Sequence, residues 1–153
     1  NELTKSAGIK MSPVTNGALV DENRQTSVEG IFACGNVLHV HDLVDFVSQE
    51  AEVAGKSAAA YILGECKKDV NITLKTDGKI RYTVPQKITA NKDVNVYFRV
   101  ADVFYNVHIN VYNGEKLVYS KKKKKAAPGE MGSIVLKKEI FEGAEELYFA
   151  LEG

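Results

Sequence analysis

The feature that most constrains this fold is a change in the spacing of apolar residues near position 67. Beyond it, apolar side chains recur at every second position, as on one face of a β-strand, in seven segments. These segments are Val70–Leu74, Ile80–Val84, Val94–Val100, Val107–Val111, Leu117–Tyr119, Ile134–Leu136 and Leu147–Leu151. Before position 67 the longest apolar pattern has a helical spacing instead. The sequence therefore predicts two differently built domains, 1–66 and 67–153.

Turn signals separate the predicted strands of the second domain. The clearest is Asn113-Gly114 between two alternating segments, where we expect a type I′ hairpin turn. Seven short strands on about 85 residues suit a two-sheet sandwich of the immunoglobulin or fibronectin type III kind. With a helix in the first domain and strands in the second, we assign the chain to the α+β class.

Residues 26–36, TSVEGIFACGN, combine a turn, an apolar run and a glycine. The run Ile31-Phe32-Ala33-Cys34 has no polar alternation, which predicts a strand covered on both faces in a parallel sheet. Gly35 allows a sharp turn and the close approach of a ligand to the backbone. Asn36 then places an amide at the carboxyl end of that strand, where open α/β sheets bind ligands. The segment therefore predicts a ligand site.

A helix is predicted directly after this segment, over Asp45–Leu63, from the spacing of its apolar and small residues. Asp42 or Asp45 is a candidate N-cap, and Gly64 is expected to end the helix. The small residues between positions 51 and 60 would let the helix approach a sheet or a cofactor closely.

The segment 26–36 resembles the second flavin-binding motif of the FAD-dependent pyridine nucleotide oxidoreductases, T-S-x-x-G-I-F-A-x-G-D, with Asn36 in place of the Asp. The resemblance implies that residues 1–66 are the C-terminal segment of an FAD/NAD(P)-binding domain, with the sandwich appended. It implies hydride transfer between nicotinamide and flavin, with FAD and possibly NAD(P) as cofactors. No catalytic acid or base is assignable. The cofactor-binding residues it implies are Gly35, Asn36, Val37, Leu43, Val44 and Asp45.

The dinucleotide fingerprint GxGxxG does not occur in the 153 residues, although the pyrophosphate of FAD requires such a cradle. We therefore expect a fragment of a longer oxidoreductase that is inactive alone and does not retain FAD. Its expected partners are the remaining parent FAD and NAD(P) domains, or a second copy that covers the apolar strand and helix. The alternative is a non-enzymatic β-sandwich interaction module in which the first domain is only scaffolding.

His39-Val40-His41-Asp42 leaves three interpretations open. The histidines could bind a metal with Asp42 as third ligand, contact the flavin or a substrate, or lie on the surface of a polar loop. We favour surface histidines and expect no metal. We expect Cys34 to be a buried, inert apolar residue, because no cation adjoins it in sequence to stabilise a thiolate.

Charge is unevenly distributed although the net charge is zero: residues 1–66 hold 4 basic and 9 acidic side chains, and the remainder 16 and 11. The run Lys121–Lys125 could bind nucleic acid, but we favour a solvated strand edge that blocks unwanted pairing. No segment has the length of a membrane span or the pattern of a signal peptide. Two separated cysteines suit reduced thiols, so we expect a cytoplasmic protein without membrane contact.

Overall fold

The computed structural model describes residues 1–66 and 71–153, and the chain divides into two compact units, Asn1–Lys68 and Asp69–Gly153. Most of the regular structure is β-sheet, with one long helix, which places the chain in the α+β class. The predicted strand residue Val70 lies outside the described residues. None of the described helices is long and apolar enough to cross a membrane.

The first unit contains a short helix α1, Glu2–Ser6, a single 3-10 turn over Gly35–Val37, and the long helix α2, Val44–Ile62. Helix α2 begins and ends one residue before the predicted positions. Gly64 has a φ of +73°. The N–H groups of Gly64 and Glu65 donate hydrogen bonds to carbonyl oxygens of the last helical turn. The predicted role of Gly64 as the residue that ends the helix is therefore confirmed.

The predicted buried strand Ile31–Cys34 does not form. Among residues 1–66, β-pairing is limited to isolated bridges, one of which joins Phe32 to Gln25. Ile31 is 37% exposed, and Cys34 is only partly buried, so the expectation of a fully buried thiol is also wrong. A parallel strand needs hydrogen-bonded neighbours, which the described residues of this unit do not provide.

Residues 71–153 form eight strands, and a 3-10 turn over Lys138–Phe141 precedes the last of them. The strands are β1 Ile72–Thr76, β2 Ile80–Val84, β3 Lys87–Ile88, β4 Val94–Val100, β5 Phe104–Asn113, β6 Lys116–Ala126, β7 Gly132–Leu136 and β8 Glu146–Glu152. Each of the seven predicted segments falls on a strand, except that β1 begins at Ile72, after Asn71. The two-residue strand β3 was not predicted, because it is too short to show a period.

The eight strands form two sheets, with the orders β3-β1-β8-β5-β6 and β2-β4-β7. Strands β1 and β8 pair in parallel, with Leu74 opposite Leu147, and the neighbouring pairs are antiparallel. Side chains from both sheets enter one buried apolar cluster, including Ile109 and Phe149 from the larger sheet and Phe98 from the smaller. The alternating pattern in the sequence therefore marks the buried face of each sheet.

The hairpin between β5 and β6 differs in type from the prediction. Asn113 still pairs with Lys116, so the two central residues of the turn are Gly114 and Glu115. Gly114 has a φ of +60°, and Glu115 is not among the residues with positive φ. One positive φ at the first central position is typical of a type II′ turn, not of the predicted type I′.

The run of five lysines lies on β6, at the end of the strand order of the larger sheet. Lys121 and Lys123 stand opposite Ile109 and Val107, which are buried, whereas Lys122 belongs to the other face. Alternation therefore divides the lysines between two faces and forms no single basic surface. Inward-facing charge on an end strand opposes pairing with another sheet.

We expect Gly132→Ala to destabilise the second unit. Gly132 stands directly opposite Phe98, and a Cβ at this position would overlap the buried Phe98 ring. Forcing one methyl group into a packed core costs about 1–3 kcal/mol. Chemical denaturation of the two proteins measures the difference in the free energy of unfolding.

The matched control is Gly129→Ala, since a Cβ at Gly129 meets no atom within 4 Å. The control is expected to unfold at the same denaturant concentration as the wild type. Equal stability of the Gly132 and Gly129 variants would contradict the packing described here.

Candidate functional site

The turn segment that precedes Gly35 is closed by its own side chains and backbone. The N–H of Thr26 donates to the carbonyl oxygen of Ile31 at 2.8 Å, and the Thr26 hydroxyl accepts from the N–H of Val28 at 3.2 Å. Gly30 has a φ of +80°, and a Cβ there would lie 3.2 Å from the ring of Tyr61 in α2. The threonine and the first glycine of the motif thus fix a compact loop against the helix.

Gly35 forms a sharp backbone corner held against α2. Its φ of +74° lies in the left-handed region, which residues with a Cβ rarely adopt. Its N–H donates a hydrogen bond of 2.7 Å to Oε2 of Glu50. Val47, one helical turn earlier, lies 3.7 Å from the position of a Cβ at Gly35. The second turn of α2 therefore anchors this corner.

Glu50 is a buried carboxylate, only 1% exposed, surrounded by cationic and imidazole side chains. Nε of Arg24 donates to Oε1 at 3.0 Å, and Nε2 of His41 lies 2.8 Å from Oε2. Nε2 of His39 lies 3.5 Å from Oε1. Because a charge removed from water must be compensated, these contacts are what allow Glu50 to occupy the interior. We call Arg24, His39, His41 and Glu50 the Glu50 cluster.

The surroundings set the protonation states of the cluster. Burial alone raises the pKa of Glu50, but hydrogen bonds from His39 and His41, the charge of Arg24 and the Gly35 N–H outweigh it and bring the pKa to about 2. Burial lowers the pKa of His39 below its ordinary value, against the opposing effect of Glu50. At neutral pH the cluster therefore holds an ionised Glu50 beside a neutral His39.

The prediction of surface histidines is wrong. The side chains of His39 and His41 are each 1% exposed, and both face Glu50. Asp42, the third ligand in the metal interpretation that we did not favour, is exposed and outside the group that brings metal-ligating atoms together. The loop turns its imidazoles inward because they contact the buried carboxylate of Glu50. The spacing of residues within the loop does not reveal this contact.

The buried face of α2 combines one charged residue with two small ones. Ala51 is exposed and Ile62 is 82% exposed, whereas Glu50, Ala54 and Ser57 are the buried residues. These three share one helix face at spacings of four and three. A carboxylate within the small-residue stripe is the sequence signal that could have identified the cluster.

The predicted cofactor-binding residues occupy two short segments. Gly35, Asn36 and Val37 form the 3-10 turn, while Leu43 is the N-cap of α2 and Val44 and Asp45 lie in its first turn. Asn36 is exposed, and its Oδ1 accepts a hydrogen bond from the N–H of His41 at 3.4 Å. Asn36 thus contacts the backbone of the histidine loop, while Glu50 contacts the histidine side chains in the interior.

The start of α2 is open to solvent. The N-cap residue is Leu43, whose apolar side chain cannot accept a hydrogen bond, so the N-cap position is held by neither Asp42 nor Asp45, contrary to the prediction. Leu43 is 56% exposed and Val44 78%. An exposed helix start flanked by apolar side chains offers amide donors and apolar contact to a ligand or a neighbouring segment.

Comparison of the chain with protein-family models, with curated proteins and with solved structures gave no match. The function is therefore argued from the geometry of the site.

Glu50→Gln is expected to destabilise the first unit by about 3–5 kcal/mol, because it leaves the buried Arg24 charge without its counter-ion. The guanidinium is only 4% exposed, so water cannot replace the carboxylate. Far-UV circular dichroism during urea unfolding follows α2 and measures the loss.

Glu52→Gln serves as the control two residues along the same helix. Glu52 pairs with Lys56 in solvent, with side chains 63% and 77% exposed. Its replacement is expected to leave the transition unchanged. If α2 unfolded at the same urea concentration in the Glu50 and Glu52 variants, the buried ion pair would not be needed for the stability of the first unit.

Proposed function

We propose that residues 1–66 form the C-terminal part of the FAD site of an FAD-dependent, NAD(P)-linked oxidoreductase. One observation carries the proposal. Within a segment that resembles the flavin-binding motif, Gly35 takes the left-handed conformation, Asn36 is exposed, and a 19-residue helix begins at Val44. A glycine corner followed by a polar residue and a helix start supports a nucleotide site, because helix N-termini bind negatively charged groups. The sheet strand that precedes the glycine in the expected arrangement does not form here.

The exposed apolar residues around the helix start support this proposal. Val40 is 66% exposed, Leu43 56% and Val44 78%, which is unusual for large aliphatic side chains near one another in sequence. A flavin ring or the remaining part of the cofactor domain would cover them.

The proposed contacts with the flavin cofactor follow from the hydrogen-bonding groups that remain available for a ligand. The Gly35 N–H is already used by Glu50, and Oδ1 of Asn36 accepts a long hydrogen bond from the His41 N–H. The Asn36 side chain would therefore bind a ribityl hydroxyl through Nδ2 and the remaining lone pair of Oδ1. The amides at the start of α2 would stabilise the negative charge that a flavin gains on reduction. The flavin supplies the hydride chemistry, and these residues bind and orient it. Since GxGxxG is absent, residues outside this chain would hold the pyrophosphate.

The second unit fits a sandwich of the immunoglobulin or fibronectin type appended to that enzyme. Its five-stranded and three-stranded sheets contribute to one apolar core. Strand β1 pairs in parallel with β8. The end strands of the larger sheet are β3 and β6. We assign this unit a packing or partner-binding role, because no group in it suggests chemistry on the cofactor.

The proposal is tested on the full-length polypeptide that contains this segment. We expect one FAD per polypeptide by flavin absorption. Asn36→Ala should weaken FAD binding about fivefold to tenfold, the value of one neutral hydrogen bond. Asn36→Asp should tighten it by a similar factor, since a charge-assisted bond is about twice as strong. Titration of the apoprotein with FAD measures the dissociation constants.

Asn95→Asp is the matched control, an exposed asparagine in β4 of the second unit. It should leave the affinity for FAD unchanged. A colourless full-length protein that takes up no FAD would refute the proposal, and so would equal affinities for the wild type and both Asn36 variants.

A further inference from the structure

Three metal-ligating side chains meet inside the first unit. His39, His41 and Glu50 each offer one ligand atom, and these atoms lie within 4.8 Å of one another. Their side chains are between 0% and 1% exposed. We propose that His39, His41 and Glu50 form a Zn²⁺ site, with two imidazole nitrogens and one carboxylate oxygen as protein ligands. This site is separate from the proposed flavin chemistry.

The separations between the side chains fit a shared tetrahedral ion. Zinc–nitrogen and zinc–oxygen bonds of about 2.0–2.2 Å at tetrahedral angles place ligand atoms roughly 3.3–3.5 Å apart. Nε2 of His39 lies 3.5 Å from Glu50 Oε1, and Nε2 of His41 lies 2.8 Å from Oε2. The two imidazoles face different oxygens of the carboxylate, so coordination through one oxygen would require the Glu50 and histidine side chains to rotate around a shared ion.

The donor set suits zinc. Two imidazoles and a carboxylate favour zinc over Mg²⁺ or Ca²⁺, which prefer oxygen ligands alone. Each histidine would present Nε2 to the ion and carry its proton on Nδ1.

Two groups that are not zinc ligands also donate hydrogen bonds to the Glu50 carboxylate. Nε of Arg24 lies 3.0 Å from Oε1, and the Gly35 N–H lies 2.7 Å from Oε2. Such donors orient ligating carboxylates in metal sites. The positive charge of Arg24 also lowers the affinity for a cation, so we expect weaker binding than at a site built from thiolates.

The three protein ligands would leave the fourth tetrahedral position of the ion to a water molecule, and they place the ion between a loop and a helix. His39 and His41 belong to the loop before α2, and Glu50 belongs to its second turn. Because the ligands are buried, zinc would join this loop to the helix, much as a crosslink does.

The test measures zinc on the whole 153-residue chain. The protein is unfolded, stripped with a chelator, refolded with equimolar zinc chloride, desalted and analysed for metal. We expect one zinc per chain for the wild type and for the control His108→Gln, whose histidine lies in β5 of the second unit. His39→Gln and His41→Gln should each weaken zinc binding by about tenfold or more.

X-ray absorption at the zinc edge of the wild type gives a readout that does not depend on folding of the variants. We expect scattering from two imidazoles. Three results would each overturn the proposal. They are wild-type protein that retains no zinc, bound zinc without imidazole ligands, and folded His39 and His41 variants that bind zinc as tightly as the wild type. Flavin binding does not enter any of these measurements, so the two proposals fail independently.

Discussion

The first unit depends on one buried carboxylate. Glu50 lies on the buried face of α2, where its charge is compensated by Arg24, by two imidazoles and by the N–H of Gly35. These contacts join three segments that are distant along the chain. Helix propensity alone would stabilise α2 only marginally, since most helical stability comes from tertiary packing. Glu50 provides much of that tertiary connection for a unit with little β-pairing.

The same interaction accounts for the shape of the proposed cofactor site. A left-handed glycine is conformationally free before folding, so fixing it costs entropy. The hydrogen bond from Gly35 to Glu50 offsets that cost and fixes the direction in which the chain leaves the corner. Asn36 then remains exposed, and the loop that follows returns its histidines to the cluster. One carboxylate thus fixes the corner that leaves Asn36 exposed and also holds the two histidines in the buried cluster.

The sequence predicted the second unit better than the first for a physical reason. Strands with one buried face repeat every two residues, and this signal is local. The segment Ile31–Cys34 looks equally strand-like, yet a strand forms only with neighbours. The sharp turn at Gly35 and the start of α2, to within one residue, were predicted from local patterns, whereas the strand expected before Asn36 was not found. The Glu50 cluster was not, because the contact between Arg24 and Glu50 spans 26 residues and depends on tertiary structure.

The central claim is that Glu50 holds the Gly35 corner through its backbone N–H. Amide hydrogen exchange of Gly35, measured residue by residue in the folded chain, tests this directly. The account predicts protection comparable to that of the Ala54 amide in the middle of α2. Exchange of the Gly35 amide at the rate of an unprotected loop residue, while α2 remains protected, would contradict it.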